Sequence, residues 1–169
     1  KPGIMPDSAW KRNNFKNDTK FHAGELAIVG IGQGYIITTP LQLAVMTARI
    51  VNGGRAVVPT IVKSPEAVIE AAGLKRQSTF PSVGIDEPGL QIGGKTGTAQ
   101  VRRITAAERA KGVIKNEDLP WEKRDHALFV SFGPVAAPRF ACAVVVEHGG
   151  GGSAVAAPIA RELMLETMK

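Results

Sequence analysis

The sequence predicts an α+β fold, with an antiparallel sheet flanked by helices, on three observations. A capped amphipathic helix fits 40–52. Three strand-like runs fit 92–102, 126–132 and 139–147. An apolar helix closes the chain at about 153–168. Strands grouped together, with helices before and after them, mark α+β rather than alternating α/β organisation.

The first helix has the clearest signals. Thr39 suits its N-cap, Pro40 its first helical position, and Gln42 completes a capping box. Leu41, Ala44, Val45, Ala48 and Val51 recur at helical spacing, and Asn52-Gly53-Gly54 stops the helix. Residues 1–24 read as irregular and polar. The apolar run 26–31 ends in the turn Gly30-Ile31-Gly32-Gln33-Gly34. Residues 55–62 read as one or two short strands broken by Pro59. In 63–91, punctuated by Pro and Gly, the only helical candidate is 65–72.

Beyond the first strand of the group, Ala106 to Lys111 is helix-friendly, and the chain is loop-like around Pro120-Trp121. The runs 126–132 and 139–147 are continuously apolar, as central strands covered on both faces would be. The connector 133–138 suits a hairpin with a wide loop. In the last helix Ile159, Leu163 and Met164 form the expected stripe. It should pack on one face of the sheet, with the 40–52 helix behind the site.

Length and composition set the bounds. With 169 residues, 44% hydrophobic and 21% charged, the chain can bury one real core. A net charge of +6 is spread over scattered basic residues, and aromatics are only 5%, which argues against a nucleic-acid-stacking surface. Cys142 is the only cysteine and sits in an apolar run, as a small buried hydrophobe would. No stretch approaches the 18 apolar residues of a membrane span. The start at Lys1-Pro2-Gly3 suggests part of something longer.

The chemistry gathers at Gly93-Gly94-Lys95-Thr96-Gly97-Thr98-Ala99-Gln100-Val101. Lys95 supplies a cation. Thr96 and Thr98 are two apart and share one face of a strand. Gly97 has no side chain to block another backbone. Such a strand suits an anionic substrate tail, with N–H groups available to a reacting carbonyl. The same residues also suit an ordinary strand entering a turn.

The other candidates are weaker. Gly30-x-Gly32-x-Gly34 lacks the third glycine of a dinucleotide fingerprint, since position 35 is Tyr35. Gly149 to Gly152 has no following Lys-Ser/Thr and reads as a flexible strand-to-helix turn. Ser8-Ala9-Trp10-Lys11 matches Ser-x-x-Lys literally. It is followed by the polar run Arg12-Asn13-Asn14-Phe15-Lys16, not by the apolar helix a catalytic serine should open. No Ser-x-Asn or Ser-x-Asp occurs. His22, His126 and His148 have no metal-ligand spacing, so neither metal nor cofactor is expected.

Five ordered blocks point the same way: Gly3-Ile4-Met5-Pro6; Val29-Gly30-Ile31-Gly32-Gln33-Gly34-Tyr35 leading to Thr39-Pro40-Leu41-Gln42; Gly94 to Gln100; Arg124-Asp125-His126-Ala127-Leu128-Phe129; and Glu147-His148-Gly149-Gly150. Over nearly the whole chain they resemble the C-terminal half of the transpeptidase domain of class B penicillin-binding proteins, most of all the penicillin-binding protein 2 branch. The resemblance implies the fold shared with serine β-lactamases. It implies a peptidoglycan D,D-transpeptidase of cell-wall elongation, at the periplasmic face of the inner membrane, anchored by an N-terminal helix outside this chain.

Of that family's three motifs only Lys-Thr-Gly maps here, onto Lys95, Thr96 and Gly97, with Thr98 following. The nucleophilic serine and its lysine should lie upstream of Lys1. By the same resemblance, Lys95 and the Thr96 and Thr98 hydroxyls hold the donor's terminal carboxylate, and the Thr98 N–H is one of two oxyanion donors. The implied partners are D-Ala-D-Ala stem peptides, β-lactams, the N-terminal part of the same protein and a membrane glycan polymerase. The stretch between Phe80 and Gly93 is shorter than the family leads one to expect. A serine β-lactamase or D,D-carboxypeptidase of the same superfamily, or a non-catalytic β-lactam-sensing or scaffold module, are the alternative readings.

Overall fold

The computed structural model describes residues 2–59, 82–83 and 91–169. The expected 65–72 helix, residues 60–62 of the 55–62 strand reading, and most of the short stretch before Gly93 lie outside these residues. The chain divides into two compact units, residues 1–42 and 43–169.

In the first unit, residues 1–24 are only partly irregular: 15–22 form no helix or strand, but two helices interrupt the expected loop. A helix, α1, runs Ser8–Asn14, and a second, α2, runs Ala23–Gly30. Asp7 caps α1, its Oδ1 accepting from Trp10 N at 2.6 Å. Glu25 Oε2 accepts from His22 N at 3.0 Å at the start of α2. The polar pattern hid α1 because its only buried residue is Lys11, which is fully buried. Its Nζ donates to Glu25 Oε1 at 2.6 Å and to Asp18 Oδ2 at 3.1 Å. The Phe15, Tyr35 and Phe21 rings surround it at 4.4, 5.1 and 5.7 Å. A lysine can serve as a core residue when its charge is paired and its face is met by aromatic rings. The expected turn after α2 is present: Gly32 and Gly34 take φ of 80° and 75°, where glycine is favoured. Ile4 and Ile37 then pair as an isolated bridge.

Helix α3, Pro40–Val51, starts as the sequence requires. Thr39 Oγ1 accepts from Gln42 N at 3.1 Å and Gln42 Oε1 accepts from Thr39 N at 2.9 Å, a reciprocal capping box. It stops at Gly54, whose N–H reaches Arg49 O at 2.7 Å. The stripe is rotated from the expected one: Thr47 is its buried residue and Leu41 is 59% exposed. Residues 55–59 form no strand.

The second unit is built on an antiparallel sheet of order β1-β2-β3-β4: Ser82–Val83, Ile92–Ala99, His126–Gly133 and Phe140–Val146. The sequence reading lacked β1, which covers two residues and pairs only with Gly93 and Ile92. β2 ends at Ala99, before the expected 102. Between β2 and β3, α4 (Ala106–Lys111) is capped by Thr105, and the Arg102 guanidinium grips Glu108 with two bonds of 2.8 and 2.6 Å.

Strand register assigns the faces. Thr96 opposes Phe129, which opposes Val144; Thr98 opposes Ala127, which opposes Val146. These residues share the face on which the C-terminal helix packs. That element is a π-helical turn, Gly152–Ala156, continuing into α5, Ala157–Met168. Its buried stripe is Ala156, Ala157, Ala160 and Met164, while Ile159 and Leu163 are 42% and 51% exposed. The expected stripe is therefore only a third right. Small residues face the sheet because they let the helix lie close to Phe129 and Val144.

β3 is central, as expected. β4 is the edge among the described strands, and it is covered chiefly on the face that meets the C-terminal helix: Val144 is 9% exposed and Val145 36%.

Candidate active site

The candidate residues sit where β2 passes from buried to exposed. Ile92, Gly93 and Gly94 are buried, and Lys95, Thr96 and Thr98 are exposed. The two glycines are there because β3 presses aromatic rings on their backbone. A Cβ at Gly93 would meet the Phe132 ring. One at Gly94 would meet the Phe129 ring and, at 2.8 Å, Val130 O. The strand is thereby seated on the core immediately before Lys95.

From Gly94 to Ala99 every residue of β2 pairs with β3 on one side. On the other side β1 reaches only Ile92 and Gly93, so the rest of that edge has no strand partner among the described residues. Alternate N–H and C=O groups of an antiparallel strand point away from its partner. An open edge of this kind is a template for an extended peptide.

Alternation separates the side chains. Lys95 and Gly97 lie on one face, and Thr96 and Thr98 on the helix-covered face. The cation and the hydroxyls therefore leave the strand on opposite faces. Lys95 Nζ donates to Thr96 O at 2.8 Å, so the exposed ammonium is held by a neutral carbonyl, a weaker partner than an anion would be.

Ser8 and Lys11 stand at the start of a helix, contrary to the irregular segment expected, yet they are no nucleophile and base. Ser8 is exposed, and Lys11 Nζ is occupied by carboxylates. Burial alone would lower the Lys11 pKa, but the bonds to Glu25, Asp18 and Tyr35 outweigh it and hold the ammonium charged. A base must be able to lose that proton.

The structure also joins Asp18, His22 and Glu25, which the sequence reading did not connect. Their spacing, His22 four residues after Asp18 and three before Glu25, was the available signal. Lys11 already places a positive charge on both carboxylates, which disfavours a second cation there. Cys142 lies opposite Ser131 on the covered face, and burial pushes its thiol up, with Ser131 acting the other way. It is no activated nucleophile.

Residues 2–165 match the family described as penicillin binding protein transpeptidase domain. The chain belongs to this family.

Among curated relatives, peptidoglycan D,D-transpeptidase MrdA of Acinetobacter baumannii is 35% identical over 184 aligned positions, covering 93% of this chain and 26% of the relative. MrdA of Escherichia coli K12 is 30% identical, covering 90% of this chain and 28% of its own length. Among solved structures, Pseudomonas aeruginosa PBP2 in complex with WCK 5153 superposes with a TM-score of 0.65 at 32% identity, covering 96% of this chain and 37% of that one. Helicobacter pylori PBP2, solved in complex with MreC, gives 0.62 at 28% identity, covering 89% and 28%. The chain thus spans about a quarter to a third of the length of these relatives. The alignment with the Acinetobacter protein is longer than the 169 residues here, so that relative carries residues inside the matched region that this penicillin-binding-protein chain does not.

Proposed function

We propose that this chain is the C-terminal portion of a transpeptidase domain and supplies the substrate-binding strand of a peptidoglycan D,D-transpeptidase. The observation that carries the reading is the Lys95-Thr96-Gly97-Thr98 run on β2, whose edge there has no strand partner among the described residues. The relatives named peptidoglycan D,D-transpeptidase support it. The donor is a stem peptide ending in D-Ala-D-Ala. It lies extended along β2, its terminal carboxylate on the Lys95 ammonium and the Thr96 and Thr98 hydroxyls.

A serine in the upstream part of the domain attacks the penultimate carbonyl. The developing oxyanion takes a hydrogen bond from the Thr98 N–H, and preorganised donors of this kind are commonly worth about 10²–10³ in rate each. Departure of the terminal D-Ala leaves an acyl-serine, which the amine of a second stem peptide attacks to form the cross-link. β-Lactams present the same carboxylate and a strained carbonyl to the same groups. No helix among the described residues is long and apolar enough to cross a membrane. In this reading the domain works at the periplasmic face of the inner membrane, beside a glycan polymerase.

Labelling with a fluorescent penicillin, resolved on a denaturing gel, tests this. The intact parent should label, and this chain alone should not. In the parent, Lys95→Ala should cut acylation about 10–100-fold, the worth of a hydrogen bond to a charged group, and leave thermal unfolding nearly unchanged, because Lys95 is exposed. A normal acylation rate in that variant refutes the assignment. Label on this chain alone would put the nucleophile here and restore Ser8 as a candidate.

A further inference from the structure

Gly152, the first residue of the π-helical turn, lies against the back of the candidate strand. A Cβ there would stand 2.7 Å from Gly97 O and 3.3 Å from Gly97 N, and nearer still to Leu128 O. All three are backbone atoms of paired strands, so no rotamer change relieves the contact. The atom most affected matters chemically. Gly97 O belongs to the same planar peptide unit as the Thr98 N–H. Anything that tilts or pushes that carbonyl turns the donor by the same angle.

The turn that brings Gly152 here is held in place. His148 adopts φ of 55°, rare for a side-chain-bearing residue. Its N–H donates to His126 Nδ1 at 2.9 Å, and its own Nδ1 lies 2.9 Å from Arg124 O. Its ring packs on Trp121 at 4.4 Å. The Gly150 N–H donates to Asp125 O at 2.8 Å, while the Asp125 carboxylate accepts from Val101 N at 3.3 Å, just beyond β2. One short segment, Arg124 to His126, therefore ties both the exit of β2 and the turn that backs it.

We propose that Gly152, held by the His148–His126 hydrogen bond, is a positioning residue that sets the Gly97–Thr98 peptide and with it the oxyanion donor. The inference rests on the transpeptidase reading and names a determinant of its rate. Gly152 touches no substrate. It acts through the orientation of one peptide plane. The glycines of this turn, flexible by sequence, are then a template.

The test separates binding from chemistry in the intact parent. Stopped acylation with a fluorescent penicillin over a range of concentrations yields the acylation rate constant and the pre-acylation dissociation constant. Gly152→Ala should lower the rate constant about 100-fold, the cost of a misplaced catalytic group. The dissociation constant should change less than about threefold, because Lys95 and both hydroxyls are untouched. Gly151→Ala, whose added carbon would meet nothing nearer than Ala154 Cβ at 4.0 Å, should acylate as wild type.

His126→Leu removes the acceptor that holds the turn and should also slow acylation. His126→Asn, which returns an acceptor oxygen near the Nδ1 position, should restore most of the rate. A purely structural role would not yield rescue by Asn or a rate effect without a binding effect. If Gly152→Ala does not fold, the His126 pair decides: an undiminished rate in His126→Leu overturns the inference. A wild type that takes no label overturns the function and this inference together. A labelled wild type with a wild-type rate in Gly152→Ala overturns the inference alone.

Discussion

Gly94 and Phe129 should be strongly coupled in stability. Phe129 is 3% exposed and lies in the core formed by Ala127, Val144, Ala156, Ala157 and Ala160. A Cβ on Gly94 would fall 2.7 Å from Phe129 Cε1, nearer still to Cζ, and 2.8 Å from Val130 O. Gly94→Ala should cost about 1–3 kcal/mol, the usual price of overpacking a core. Phe129→Ala should cost about 3–5 kcal/mol through the cavity it leaves. In the double variant the ring is gone, the new methyl enters the vacated space, and only the Val130 O contact persists. The double should therefore be more stable than the sum of the singles by about 1–2 kcal/mol. At about 2–4 °C per kcal/mol for a domain of this size, that is roughly 2–8 °C. Urea and thermal unfolding of the intact parent, followed by two probes, measure it. Additivity within about 0.5 kcal/mol, as for unconnected sites, would refute the claim that the ring fixes glycine at this position.

Three further outcomes follow from particular residues. Val144→Asp should destabilise by more than about 4 kcal/mol because the site is buried, whereas Val145→Asp, on the exposed side of β4, should cost less than about 1 kcal/mol; equal losses in denaturant midpoint would contradict the one-sided coverage of β4. The Lys11 ammonium, with the His22 N–H and Tyr35 hydroxyl, holds the Glu25 carboxyl down at about 2 against an ordinary 4.5. Its stabilisation is complete above about pH 4.5 and is lost as pH falls through about 2. Glu25→Gln should lower stability at neutral pH and flatten the pH dependence across that window; an unaltered slope would remove Glu25 from the acid transition. Cys142 in the folded protein should react with iodoacetamide at neutral pH at least about tenfold more slowly than in the unfolded chain, since burial raises its pKa; equal rates would place the thiol outside the core.

Periodicity and local chemistry were enough for the parts of this protein that depend on neighbours in sequence. The Thr39–Gln42 capping box, the Gly53-Gly54 stop, the β3–β4 hairpin, the terminal helix and the Lys95-Thr96-Gly97-Thr98 run could all be read from residues a few positions apart. The parts that depend on distant partners could not. α1 carries no apolar stripe because its anchor is a lysine whose partners, Glu25 and Tyr35, lie 14 and 24 residues on. β4 reads as a central strand, yet its position in the sheet is decided by what pairs beyond it. The alanine stripe of α5 looks like the helix's weak face until the sheet it must approach is known.

The same division runs through the site. Residue types alone placed a cation, two hydroxyls and a bare glycine on one strand. Only the tertiary structure decided that most of one edge of this strand has no strand partner among the described residues, that Lys95 and the threonines lie on opposite faces, and that Gly152, 55 positions from Gly97, bears on the Gly97–Thr98 peptide. Side-chain chemistry is local to the sequence. The orientation of a peptide plane is set by whatever packs against it, and that contact exists only after the chain has folded.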